Sequence, residues 1–238
     1  MRRKILMVVA NPTTATTTGW PVGFWASELI HPCHVFTEAD YEITVASPRG
    51  GRVEVDALSD PRDASGYSAD DDLSRRYLDD ESFTARLADT VCVAELSADD
   101  FDAIVVVGGQ APMFTFASET DLHRRFLEFV AQDKVTAALC HGTCLLLYLR
   151  NNGRPLIEGR RMTGFTNDEE DAADAAVGQR LMPFRIEDEA RALGAEFVAA
   201  PAFAAHVVRD GRLITGQQQN SGEATARCVI EALEEETA

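Results

Sequence analysis

The 238-residue sequence predicts an α/β protein with a doubly wound, mostly parallel sheet covered by helices on both faces. Three observations predict it. Short apolar runs at residues 4–10, 102–109 and 135–139 lack polar alternation, as strands buried on both faces require. Amphipathic segments lie between strands, as in LHRRFLEFVAQ (122–132), where helical spacing puts Leu122, Phe126, Phe129 and Val130 on one side. The two kinds of segment alternate along the chain, which places a crevice at the carboxyl ends of the strands.

In chain order, KILMVVA (4–10) is the first strand, and the loop NPTTATTTGWPVG (11–23) is long for a strand-to-helix connection, a length that favours function. FWASELIHPCHVFTEA (24–39) places Trp25, Leu29 and Pro32 around a short helix, and YEITVAS (41–47) is the second strand. Residues 48–80, rich in Gly, Asp, Ser and Arg, read as a surface excursion. DDESFTARLADTV (79–91) is helical, and DAIVVVGG (102–109) is a strand ending in a glycine turn. The stretch VTAALCHGTCLLLYL (135–149) is a strand, a tight turn at Cys140-His141-Gly142 and an apolar helix. A turn at NNGRP (151–155) follows, then a short strand in GRRMTGFTNDEE ending in a carboxylate cluster. PFRIEDEARALGAEF (183–197) is a helix closed by Gly194, and HVVRDGRLITGQ (206–217) is a hairpin turning at Asp210-Gly211. The last helix, residues 221–236, takes Ser221 as its N-cap.

Nothing divides the chain into repeats or linked halves, and it reads as a single domain over residues 1–238. Acidic residues outnumber basic ones by 39 to 22, and a net charge of −17 argues against nucleic-acid or anionic membrane surfaces. Small molecules or proteins are the expected partners. The basic start Met1-Arg2-Arg3-Lys4 leads into too short an apolar run for a signal peptide, and no segment reaches the length of a membrane span. Cys33, Cys92, Cys140, Cys144 and Cys228 match neither a disulfide framework nor zinc spacing, so a reducing cytoplasm is expected.

Three strand ends meet at the predicted crevice: the loop after 4–10, the turn at Gly108-Gly109 and the elbow at Cys140. A cysteine at such an elbow faces free backbone N–H groups and a helix dipole, which favour thiolate; a buried structural cysteine is the other reading. Beside it, Glu28 is a candidate acid/base, or a solvent-facing carboxylate. The glycine turn offers backbone donors for an anion. His141 assists only if the turn swings its imidazole back toward Cys140, and its ring then needs a carboxylate, for which Glu170 is preferred to Glu169 although spacing alone does not decide. Cys144, one helical turn on, reads as core, and His31 and His34 lack the further ligands a metal requires. No metal or cofactor is expected. His206 and Gln217 to Gln219 are weaker candidates for the pocket wall, and the acidic run from Asp168 to Asp174 reads as a solvated face.

The ordered motifs GFWASELIHP (23–32), TVASPRGG (44–51), DAIVVVGG (102–109), ALCHGTCLL (138–146), GRPLIEGRRMTGFTNDEE (153–170) and DGRLITGQ (210–217) together resemble the ThiJ/PfpI superfamily. Within it they are most similar to the class of glutathione-independent glyoxalases (glyoxalase III) and related holding chaperones. The resemblance implies a flavodoxin-like sheet of the kind shared with class I glutamine amidotransferases, and usually a homodimer. It implies Cys140 as nucleophile at its elbow, Glu28 as the acid bonded to it, and His141 with Glu170 completing a triad. Two departures stand out. Glyoxalase-like members carry Gly-His-Gly after the third strand, where this chain has Gly109-Gln110-Ala111 and then Pro112, so an anion hole must rely on Gly109, Gln110 or His141. Members often read GxNPxS where this chain has GQQQNS (216–221).

Trp20, Phe24, Trp25, Met113, Phe114 and Phe116 are expected to form an aromatic mouth suited to a substrate larger than methylglyoxal. The leading expectation is a cofactor-independent cysteine enzyme converting a 2-oxoaldehyde to a 2-hydroxy acid. Two rivals stand beside it: an amidase, hydratase or lyase of specialised metabolism that keeps the same thiol, and a stress-responsive protein that holds unfolded clients or senses oxidation through Cys140.

Overall fold

The structure, a computed structural model, describes residues 2–235. Its central sheet has seven strands in the order Val207–Asp210, Leu213–Gly216, Val135–Leu139, Ala103–Val106, Lys4–Val8, Glu42–Ser47 and Val91–Cys92. All neighbours run parallel except the edge pair Val207–Asp210 and Leu213–Gly216. The doubly wound α/β class predicted from the alternation is therefore the one observed.

The apolar runs are buried on both faces because side chains alternate across a strand. Ile5, Met7 and Val9 enter one core with Leu29, Phe36 and Val229, whereas Leu6, Val8 and Ala10 enter the other with Phe126, Phe129 and Leu145. Helices Ala26–Glu38 and Gly222–Glu234 pack against each other on the first face. Helices Thr120–Ala131 and Ile186–Ala192 contribute to the second core.

Several elements differ from the sequence reading. The expected short helix after Phe24 runs thirteen residues, straight past Pro32. Its ring lies against Gly222, where a Cβ would come within 3.2 Å of Pro32 Cδ, so packing between the two helices outweighs the proline penalty. Ser221 sits at the N-cap position of Gly222–Glu234 without capping it, because its hydroxyl accepts the N–H groups of His206 and Gln218 instead. Glu236, assigned to that helix, lies outside the described residues. In the last hairpin, Asp210 pairs with Leu213, which leaves Gly211 at φ +61° and Arg212 in the two-residue loop.

The carboxylates at 168–170 do not end a strand; they open helix Asn167–Val177. Thr166 accepts the Glu169 N–H while Glu169 accepts the Thr166 N–H, a capping box, and acids in a first turn suit the positive end of the helix dipole. Glu169 and Glu170 are buried, which corrects the reading of this run as a solvated face.

The segment 48–80 is only partly an excursion over the surface. Asp71 caps helix Asp72–Asp79 by accepting from Ser74 N, and Val53, Asp56, Ser59 and Leu78 are buried. Its weak periodicity hid this because the buried residues are anchored by backbone contacts: Phe24 N donates to Glu54 O, and Asp56 N donates to Phe24 O. No helix among the described residues is long and apolar enough to cross a membrane.

Candidate active site

The crevice at the strand ends is built on glycine. Gly109 adopts φ +102°, and its Cα lies so close to the chain at Phe24 and Trp25 that a Cβ would sit 2.4 Å from Trp25 N. At Gly108 a Cβ would stand 2.5 Å from Glu28 Oε2 and 2.9 Å from Cys140 Cβ. Only a bare backbone allows the helix carrying Glu28 and the elbow carrying Cys140 to converge here.

Cys140 follows strand Val135–Leu139 and takes φ +54°, an uncommon and strained conformation for a residue with a side chain. Thr143 Oγ1 donates to Cys140 O at 2.6 Å and holds the tight turn. The turn swings the next side chain back: His141 Nδ1 lies 3.6 Å from Cys140 Sγ. On its other edge His141 Nε2 meets Glu170 Oε1 at 3.1 Å, and Phe165 stacks on the imidazole with ring centroids 4.2 Å apart. With Nε2 protonated toward Glu170, Nδ1 is the acceptor facing the thiol. Arg185 lies behind the carboxylate, 3.7 Å from Glu170 Oε2.

Glu28 projects from the first turn of helix Ala26–Glu38 and is fully buried. Gly108 N donates to its Oε2 at 2.9 Å. Among the described residues its Oε1 has no partner within hydrogen-bonding geometry, yet the Cys140 thiol is near enough to perturb the carboxyl. Burial pushes the carboxyl up to about 8, against the Cys140 thiol and the Gly108 N–H, which pull it down. Burial, together with the adjacent Glu28, also raises the Cys140 thiol well above its usual value, opposed by the His141 N–H. At neutral pH the resting pair is therefore a thiol beside a neutral carboxyl, and both protons are available for transfer.

Glu169 does different work from its neighbour. Besides the capping box, its Oε1 accepts Phe203 N at 2.8 Å and Gln217 Nε2 at 2.9 Å. The choice of Glu170 over Glu169 as the partner of His141 matches this geometry.

Asp56 escaped the sequence reading. Its carboxylate is buried, with Oδ1 accepting Gly23 N at 2.8 Å and Oδ2 accepting Gln110 N at 2.7 Å. Burial lifts its pKa to about 6, while the two N–H groups and His141 act downward. The Gln110 N–H is thus engaged, leaving the His141 N–H as the backbone donor that acts on the thiol. One Asp among many in a stretch rich in Gly, Asp, Ser and Arg carries no signal by which it could have been found.

A cavity of about 420 Å³ opens at Cys140, His141 and Glu170. Trp25 and Gln110 line it as expected, whereas Trp20 and Phe114 do not. Trp20 stands on the small hairpin of Thr13–Thr14 and Pro21–Val22 and is 40% exposed, and Phe114 packs against the core. Phe24, Met113 and Phe116, also expected at the mouth, are buried in the cores. The aromatic wall is instead Phe165, Phe203 and Trp25 with Tyr67, the last two edge to face at 6.0 Å. Gln219 lines the cavity, but Gln217 braces Glu169, and His206 lies outside with Nε2 buried and unpartnered. Cys144 is fully buried core. His31 engages Asp71 and His34 engages the Tyr77 hydroxyl.

Residues 21–232 match the DJ-1/PfpI family. A glutathione-independent glyoxalase of Saccharomyces cerevisiae is 29% identical over 97% of this chain and 98% of its own length. The crystal structure of glyoxalase III from Candida albicans is 27% identical and superposes with a TM-score of 0.78 over 97% of both chains. Rapid encystment protein of Francisella tularensis, 25% identical, superposes with a TM-score of 0.86 over 97% of this chain and 99% of its own.

Proposed function

The chain belongs to the DJ-1/PfpI family, and from that premise we propose that it is a glutathione-independent, glyoxalase III-type enzyme converting a 2-oxoaldehyde to a 2-hydroxy acid. The observation that carries the reading is one thiol served from two sides: a neutral carboxyl, Glu28, and an imidazole, His141, already oriented by Glu170. The full-length similarity to relatives named as glyoxalases supports the same reaction.

Cys140 sulfur adds to the aldehyde carbon. Glu28 gives its proton to the carbonyl oxygen and takes up that of the thiol, so a neutral hemithioacetal forms and Glu28 ends as it began. A standing thiolate is not required, which fits a thiol whose pKa is raised rather than lowered. Gly109 N–H and His141 N–H are the donors for the developing oxyanion. Neutral His141 Nδ1 then takes the hydrogen from the former aldehyde carbon as a proton, and the electron pair forms an enediolate. Returned to the adjacent carbon, that proton gives a 2-hydroxy thioester. Glu170 stabilises the transient imidazolium. Water attacks the thioester with His141 as base, the carbon–sulfur bond breaks, and the thiol is reprotonated as the acid leaves.

The reading includes a homodimer in a reducing cytoplasm, supported by the absence of paired cysteines among the described residues and by the family resemblance. Its enzymatic part is tested by assaying purified protein with methylglyoxal and phenylglyoxal without glutathione. Wild type consumes substrate and Cys140→Ala does not; equal consumption by both contradicts the reading.

A further inference from the structure

We propose that the substrate is an uncharged 2-oxoaldehyde carrying an aromatic or branched aliphatic tail, with the dicarbonyl end at Cys140 and the tail along helix Asn167–Val177. This rests on the glyoxalase reading and names its substrate class.

The size of the cavity is the first ground. Its 420 Å³ corresponds to about fourteen waters at about 30 Å³ each, within the range of sites for drug-sized ligands. Methylglyoxal, with one methyl group beyond its two carbonyls, leaves most of that space to water.

The second ground is chemistry. Among the described residues no lysine or arginine lines the cavity, and Cys140, His141 and Glu170, which the mechanism already uses, are its ionisable groups apart from the Tyr67 phenol. A phosphate or carboxylate on the tail finds no cation there and meets the Glu170 charge. Apart from the uncharged amides Gln110 and Gln219 the remaining walls are apolar: Leu181, Met182 and Val177 stand with Phe165 and Phe203, and Ala173 and Ala176 leave room where larger side chains would fill the space.

The aromatic wall is also fixed in advance. Phe203 holds φ +61°, strained for an aromatic residue, because Glu169 Oε1 accepts its N–H at 2.8 Å and Asn220 Nδ2 donates to its carbonyl at 2.9 Å. Phe165 is locked on the His141 ring. A tail seated on preformed walls gains from burial without paying to order them.

The test is kcat/KM of the full chain, without glutathione, for methyl-, propyl-, isobutyl- and phenylglyoxal and for a 2-oxoaldehyde bearing a terminal phosphate. The alkyl members share similar carbonyl reactivity, so their differences report tail burial. The expected series rises about fourfold per added methylene, phenylglyoxal exceeds methylglyoxal by about tenfold or more, and the phosphate gives no gain over methylglyoxal. Ala173→Phe, and the more exposed Ala176→Phe as a second fill of the same wall, each cut the phenylglyoxal-to-methylglyoxal ratio by about tenfold. A flat alkyl series in the wild-type protein, or a preference for the phosphate, overturns this inference and leaves the glyoxalase reading standing. Turnover of none of the five overturns the reading beneath it.

Discussion

Asp56 Oδ2 holds the Gln110 N–H at 2.7 Å, and through its other oxygen ties the glycine turn to Gly23 on the loop after the first strand. This buried carboxylate anchors the chain just after Gly109, and it is not among the residues that line the cavity. In Asp56→Asn one of the two buried N–H groups loses its acceptor, at a cost of about 1–3 kcal/mol. Urea denaturation should show that loss, and kcat should fall with it because the Gly109 donor is displaced. Unchanged kcat in a destabilised variant assigns Asp56 to the fold alone.

Glu28 makes pH a direct probe. Its folded pKa of about 8 lies above the ordinary carboxyl value of 4.5, so between those values the folded protein holds a proton that the unfolded chain has lost. The stability this group contributes is present below pH 4.5 and is lost as the pH rises toward 8, by about 1 kcal/mol per unit. Glu28→Gln, neutral at every pH, is therefore matched in stability to wild type near pH 4.5 and more stable at pH 8. Its kcat falls by about a hundredfold or more because an amide cannot give up a proton. In wild type, loss of activity above about pH 8 should follow ionisation of this carboxyl. Thermal melts and kcat across pH 4 to 9 check both halves.

Gly108 has no room for a methyl group, since its Cβ would lie 2.5 Å from Glu28 Oε2, 2.7 Å from Leu139 O and 2.9 Å from Cys140 Cβ. Two of these three neighbours are side chains of the proposed chemistry. Gly108→Ala should cost about 1–3 kcal/mol through overpacking and lower kcat at least tenfold by separating Glu28 from Cys140. Denaturation and steady-state kinetics on the same preparation measure the two effects.

Glu169 and Glu170 are adjacent in sequence and should fail differently. Glu170→Gln removes the charge opposite His141 Nε2 and should lower kcat by about a hundredfold or more with little change in melting temperature. Glu169→Gln disturbs the capping box and the anchor of Phe203, so stability falls and KM rises more than kcat drops. The reverse pattern exchanges the two roles.

The fold was legible because period and burial coincide. Ile5 to Ala10 is apolar at every position and Val135 to Leu139 at every position but Thr136, and a strand between two helical layers has that composition. The elbow was legible as a break in such a run, and ordered motifs added Glu28 and Glu170. The cavity wall was not. Trp20 and Phe114 are aromatics near strand ends in the sequence, but exposure on a hairpin removes the first from the wall and core packing the second. Tyr67 and Leu58 come from a segment without periodicity, anchored by backbone bonds to Phe24 and by the Asp56 carboxylate on the Gln110 N–H rather than by any repeating pattern of side chains. Phe203 holds its wall position through Glu169 and Asn220, contacts that join distant parts of the chain and leave no local trace.

The most direct test is the identity of the product. Wild type and Cys140→Ala are incubated with phenylglyoxal in glutathione-free buffer, and mandelate is quantified by NMR. Wild type should produce mandelate in amounts equal to the phenylglyoxal consumed, and Cys140→Ala none above the uncatalysed rate. Consumption without mandelate, or mandelate formed as fast by Cys140→Ala, contradicts conversion of a 2-oxoaldehyde through Cys140.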